Sequence, residues 1–152
     1  MRGEIVRATK THALMMAPHV RAAEVREIMD AEGMTPVELL VRDMDRSVSA
    51  WSWIIDGDVA CMFGVVADVL LSDVAYPWFL STPLVDENAV AFARACRRHL
   101  PELLGVHAKL AGMVDARYEL SVRWLQWLGA KVGSPEPWGI AGAQFRPFTL
   151  EA

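Results

Sequence analysis

Residues 51–66 read WSWIIDGDVACMFGVV, and the reading of this stretch decides the fold. Two apolar, strand-forming runs, Trp51–Ile55 and Val59–Val66, flank Asp56-Gly57-Asp58. Asp-Gly is the strongest short-range turn signal in the chain, because a two-residue hairpin turn needs positive φ at both of its central residues. The spacing predicts an antiparallel β-hairpin near the middle of the sequence. The segments on either side must then supply its neighbouring strands and its covering helices.

Upstream, Ile5–Thr9 is β-branched and weakly alternating, so it reads as a first strand. Pro18 opens a helical stretch with Val20, Ala23, Ile28 and Met29 near one face, Arg21, Glu24, Arg26 and Glu27 exposed, and Gly33 at its end. Thr35-Pro36-Val37-Glu38 is a capping box with proline at the first helical position. The helix it starts carries Val37, Leu40, Val41 and Met44. Downstream, Ala75–Leu80 reads as a strand, and Asp86 or Asn88 caps a long helix with Ala89, Val90, Phe92, Ala93, Cys96 and Leu100. Pro101 predicts a kinked last turn and Gly105 its end. Ala108–Val114 is strand-like, Asp115 is a cap for the helix that follows, and Gly129 is that helix's C′ residue. Ala130–Val132 and Gln144–Leu150 read as two final strands around the Pro/Gly-rich Gly133–Gly142 loop. The predicted order is β-α-α-β-β-β-α-β-α-β-β, an α/β chain organised as a single domain over 1–152.

Bulk properties narrow the function. A chain of 152 residues is long enough to bury roughly 68–70% of its unfolded surface. Hydrophobic residues make up 53% and charged ones 22%, with a formal charge of −4, so no basic field recruits nucleic acid. Cys61 and Cys96 lie in apolar segments without CxxC spacing and read as buried thiols in a reducing compartment. The N-terminal stretch has no apolar signal core, and the longest uncharged runs fall far short of the ~20 residues of a membrane helix. The expectation is a cytoplasmic protein with no membrane partner.

This element order, together with the Trp127-Leu128-Gly129-Ala130 ending, resembles the GNAT superfamily of N-acetyltransferases. Over nearly its full length the chain also resembles a phage family, the internal virion or head-assembly proteins of T-odd-type short-tailed phages. That second likeness rests on His19-Val20-Arg21-Ala22-Ala23-Glu24, Met62-Phe63-Gly64-Val65, Pro77-Trp78-Phe79-Leu80-Ser81-Thr82, Val114-Asp115-Ala116-Arg117, Arg123-Trp124-Leu125-Gln126-Trp127-Leu128-Gly129 and Phe145-Arg146-Pro147-Phe148. The resemblance implies a GNAT-like α/β (α+β) fold, with a mixed sheet of about six or seven strands and about four helices on both faces. It implies acetyl-CoA as donor, an amine as acceptor, phage structural proteins as partners, and residence in an infected cell or a virion.

Acyl transfer to an amine needs a phosphate cradle, a donor to the developing oxyanion and a proton acceptor. The superfamily's cradle is an Arg/Gln-x-x-Gly-x-Gly/Ala turn. Here the equivalent Ser81-Thr82-Pro83-Leu84-Val85-Asp86-Glu87-Asn88 has no glycine and two carboxylates. Asp and Glu stabilise a helix start but repel a pyrophosphate. The resemblance sets the donor against Phe79, Leu80, Ser81, Thr82, Asn88 and Trp124, with a backbone N–H near Leu80 or Ser81 meeting the oxyanion. Leu125 occupies the usual tyrosine position, and Tyr118 lies about two turns earlier. Candidates for proton transfer are Glu24, His107 and Tyr118, while the histidines show no metal-ligand spacing. Each has a plainer reading: Glu24 and Glu27 as a solvated helix face, Trp78, Trp124 and Trp127 as packing. Trp138 and Gly139–Gly142, if exposed, offer a partner patch. Two functions stand side by side: an acyl-CoA-dependent N-acetyltransferase with a degenerate loop, and a catalytically silent assembly protein.

Overall fold

The computed structural model describes residues 3–67 and 73–151. Among these, eight strands form one sheet: β1 (Glu4–Arg7), β2 (Ser47–Ile55), β3 (Asp58–Val66), β4 (Val74–Ser81), β5 (Lys109–Asp115), β6 (Lys131–Val132), β7 (Glu136–Trp138) and β8 (Ala143–Glu151). Six α-helices accompany them: α1 (Lys10–Met16), α2 (Ala22–Glu32), α3 (Pro36–Arg46), the single turn α4 (Leu84–Glu87), α5 (Ala89–Val106) and α6 (Glu119–Trp127). The strand order is β1-β2-β3-β4-β5-β8-β6, with β7 also paired to β8. The expected α/β class holds, with two more helices and at least one more strand than expected.

The hairpin forms as its turn dictates, with Asp56 at φ 49° and Gly57 at φ 84°. The Thr35–Glu38 capping box is present, Glu38 accepting from the Thr35 amide and hydroxyl. Gly33 closes α2 in the left-handed conformation, and α5 runs through both Pro101 and Gly105. The differences have local causes. Pro18 lies in a 3-10 turn (Ala17–His19), so α2 begins only at Ala22. The residues before it form α1, where Thr9 and His12 cap one another with imidazole in the place of the usual carboxylate. Asp115 caps nothing: it ends β5, and Tyr118 holds the N-cap of α6. The Gly133–Gly142 loop contains β7, and Ile140 and Ala141 donate to the carbonyls of Ala31 and Asp30. Those bonds satisfy acceptors that the end of α2 leaves open.

Helices α1–α3 cover one face around Ala13, Met16, Ile28, Leu40, Met62 and Leu80. Helices α5 and α6 cover the other, over Cys61, Val65, Ala75, Leu110, Val122 and Leu125. Only β4 and β5 are parallel neighbours, and they pair at just Val74/Lys109 and Ala75/Leu110 before parting. The reason is written in β4. The Asp73 carbonyl accepts from the Lys109 amide, so by strand alternation Ala75, Pro77, Phe79 and Ser81 turn their backbone groups toward β5. Pro77 has no N–H to continue that ladder. Over Ala111–Asp115, β5 is held in the sheet by β8 alone, through five consecutive pairs.

Candidate active site

Where β4 and β5 part, a cavity of about 540 Å³ opens, walled by α2, α5, α6 and the two strands. That volume suits a small-molecule ligand. Its α2 side is polar. Glu24 lies one helical turn from the core residue Ile28 and is only 4% exposed. One carboxylate oxygen accepts from the Ser81 amide at 2.6 Å, and the other accepts from the Ser81 hydroxyl. The Tyr118 hydroxyl stands 3.4 Å away and Arg21 Nε 3.7 Å. Burial pushes Glu24 up to about 7, against the pull of the Ser81 bonds, Arg21 and Tyr118. Glu27 is pushed to about 7 by burial, with the charges of Glu24 and Asp115 adding to it. It accepts from the Asp115 amide at 3.2 Å.

Tyr118 owes its place to the turn before α6. Arg117 donates to Asp115 from Nε (3.0 Å) and from a terminal nitrogen (2.8 Å), and also binds Asp30 on α2. This ties the start of α6 to α2. Burial and the charge of Glu24 push the phenol up to about 12. Burial works upward on Asp115 too, but the bonds and charge of Arg117 outweigh it and hold this carboxyl below its ordinary range.

The opposite side is apolar. Trp124 on α6 packs against Phe79 (5.3 Å between ring centroids) and Phe92 of α5 (5.8 Å). Its indole N–H is buried against the Cys96 thiol, a weak acceptor; burial pushes that thiol up to about 12 although the Trp124 contact works the other way. None of the 18 residues of α5 is fully buried, although Phe92, Cys96, Leu100 and Leu103 face the cavity.

Between Ser81 and Asn88 the turn from β4 toward α5 has no free backbone donor for a pyrophosphate. The Ser81 amide goes to Glu24 and the Thr82 amide to the Ala60 carbonyl. Leu84 donates to the Thr82 hydroxyl, Val85 to the Thr82 carbonyl, Asp86 and Glu87 to Pro83, and Asn88 to Val85. Every N–H from Ser81 to Asn88 is therefore bonded within the protein. Arg21 clamps this turn to α2 through a 2.9 Å bond to Asp86, and its amide donates to the Ser81 carbonyl.

Of the residues singled out in the sequence, the fold brings together Glu24, Tyr118, Phe79, Leu80, Ser81 and Trp124. Leu80 turns its amide toward β3 and its side chain into the α1–α3 core. Of the nearby amides, that of Phe79 points into the parting of the strands by alternation. Thr82 is buried, with its hydroxyl donating to Ala60. Asn88 turns its side chain back to the Leu84 carbonyl. His107 caps the far end of α5, at the closed end of β5. Arg21 and Phe92 are the additions that tertiary structure makes. Only the Arg21–Glu24 spacing of three gave any warning of the first. Among the described residues no group of His, Cys, Asp and Glu is arranged to hold a metal, and no helix is long and apolar enough to cross a membrane.

The chain matches no family model and no curated protein. Solved structures share its fold. A GNAT-family acetyltransferase from Bacillus anthracis superposes with a TM-score of 0.70 at 9% identity, covering 99% of this chain and 95% of that one. A spermidine N-acetyltransferase chimera from Vibrio cholerae and hSSAT gives 0.69 at 8% identity (99% and 96%). The ribosomal-protein-S5-alanine acetyltransferase from Vibrio fischeri gives 0.69 at 10% identity (99% and 93%). The fold is that of the GNAT acetyltransferases.

Proposed function

We propose that the protein transfers an acyl group from a thioester to an amine in the cleft between β4 and β5. One observation carries this reading: a buried carboxyl poised near neutrality, Glu24, sits beside the backbone that the parted strands leave available. The thioester supplies an activated acyl carbon, so that a C–N bond forms as the C–S bond breaks. The Glu24 carboxylate accepts the proton of the incoming ammonium, a task for which a group near 7 is matched to its medium. The Phe79 amide faces the developing oxyanion. That first proton leaves to solvent; once the amine has attacked, Glu24 takes the second proton from its nitrogen, and Tyr118, still protonated at neutral pH, relays a proton to the thiolate as the C–S bond breaks. The apolar wall of Phe79, Phe92 and Trp124 holds the donor's arm, with acetyl as the expected acyl group, and excludes water.

A second reading keeps the fold and drops the chemistry. In it the chain serves a phage particle through its surface, as the likeness to internal virion proteins suggests. The internally bonded turn of Ser81–Asn88 favours it. An assay of thiol release from acetyl thioesters, run over a panel of primary amines from pH 6 to 9, separates the two. Acyl transfer is expected, with a rate that rises through about pH 7 and falls on Glu24→Gln. Neither binding nor thiol release with millimolar acetyl-CoA or S-acetyl-pantetheine would sink the enzyme reading and leave the structural one.

A further inference from the structure

Resting on the acyl-transfer reading, we propose that the acceptor is a small aliphatic diamine: one nitrogen is acylated beside Glu24 while the other, as an ammonium ion, docks on Glu27. The chemistry described for the site uses Glu24, Tyr118 and the Phe79 amide and leaves Glu27 without a task. Yet Glu27 lines the same cavity, one helical turn along α2 from Glu24. One of its oxygens accepts from the Asp115 amide at 3.2 Å, and among the described residues no ion pair engages it. The other carboxyls on this side are matched. Arg117 binds both Asp30 and Asp115, Arg26 Nε lies 3.9 Å from Asp115, and Arg21 Nε lies 3.7 Å from Glu24. Glu27 is raised to about 7 by burial and by the charges of Glu24 and Asp115. An ammonium beside it supplies the missing positive charge and returns it to the ionised form. An acceptor bearing a carboxylate would meet like charge instead.

Size follows from the walls. Glu24 and Glu27 are three residues apart on one helix, so their Cβ atoms stand about 5–6 Å apart, which suits two nitrogens separated by about three to five carbons. Phe145 is the register partner of Asp115, and the Trp138 ring meets it edge-on at 5.1 Å. With Ile28 and Met113 these rings line the cavity and give a methylene spacer an apolar wall. The Gly139–Gly142 turn latches this end. Ile140 and Ala141 donate to Ala31 and Asp30, and a Cβ at Gly139 would stand 2.6 Å from the Ala31 Cα. That close approach favours a free small molecule over a side chain projecting from a folded protein.

The test is an amine series on the intact protein, reading kcat/KM by thiol release from acetyl-CoA and Kd by calorimetry. 1,4-Diaminobutane is expected to exceed butylamine in kcat/KM by at least about tenfold, and 4-aminobutyrate to fall below both. In Glu27→Gln the advantage of the diamine over butylamine should shrink to within about threefold. That ratio is read within one variant, so a general loss of folded protein does not move it. The wild-type series needs no variant, so the inference can fail even if Glu27→Gln does not fold. Equal rates for diamine and butylamine, a preference for 4-aminobutyrate, or an advantage that survives Glu27→Gln overturns the inference and leaves acyl transfer standing. A lysine-bearing peptide acetylated in preference to the diamine does the same. If no amine is acetylated, acyl transfer itself falls. Calorimetry without thioester then decides the rest: diamine binding that Glu27→Gln abolishes keeps Glu27 as an ammonium site, and no binding overturns that too.

Discussion

At the α2 end of the cleft, Glu24, Ser81, Arg21 and Asp86 are locked into one hydrogen-bonded unit, and the helices beneath it bury Leu40, Ala13 and Met62 completely. At the α5 end, an 18-residue helix stands over the sheet without burying one residue fully. Both ends are built on the same sheet, with the same strand β4 between them. The contrast shows how one scaffold divides preorganisation from capacity. Polar groups that act on a proton must be held in place before the substrate arrives. An apolar wall can wait for its ligand, because packing energy is gained whenever the groove is filled.

Four measurements break or sharpen this comparison. The largest effect is expected in the pH dependence of stability. Glu24 and Glu27 both titrate near 7 in the fold, raised from 4.5. The folded state thus binds more protons than the unfolded chain between these values. Their contribution is full below about pH 4.5 and is lost progressively up to about pH 7, by about 3 kcal/mol for Glu24 alone. Urea midpoints should therefore fall from pH 5 to pH 8, and Glu24→Gln should flatten the decline. A rise across that range would show that the polar end is not desolvated as described. Asp115, held low by Arg117, works the other way and only at acid pH.

Next comes chemistry. Glu24→Gln keeps an acceptor for the Ser81 amide but cannot take a proton, and is expected to lower kcat by about 10²–10³ while leaving the Kd for the thioester unchanged. An equal loss in both would mean that Glu24 shapes the cleft and does not act on the proton. Third, Leu40→Ala on the tight face should cost about 2–5 kcal/mol of unfolding free energy. Leu100→Ala on α5, where packing is already incomplete, should cost about 1 kcal/mol. Equal losses in chemical denaturation would erase the difference between the two faces. Smallest is the hairpin: Gly57→Ala, at φ 84°, should cost about 1 kcal/mol, with no effect on donor binding.

Much of the architecture was legible because it depends on local chemistry. Asp56-Gly57 could be read as a turn, Thr35–Glu38 as a cap and Gly33 and Gly129 as helix ends, since each rests on backbone preferences of a few adjacent residues. Helix α1 was not legible, because a histidine at the third helical position replaces the glutamate that marks a capping box. β7 escaped notice because Glu136-Pro137-Trp138 has no alternation of its own and is a strand only against β8. Glu24 could be listed as a candidate but not distinguished from an exposed glutamate. Its spacing on α2 says nothing of Ser81, 57 residues away, whose amide and hydroxyl it accepts.

The sequence by itself determined the hairpin, the Thr35–Glu38 cap, the main helices and the order of most elements of the GNAT fold, and the absence of glycine from the turn after β4. Tertiary structure alone decided that Pro77 falls where the parallel ladder must end, that Tyr118 reaches Glu24, and that the amides of Ser81–Asn88 are spent within the protein. The physical reason is range. Turn and cap preferences act over three or four bonded neighbours, whereas burial, charge and hydrogen-bond supply are set by groups that only the closed sheet brings together.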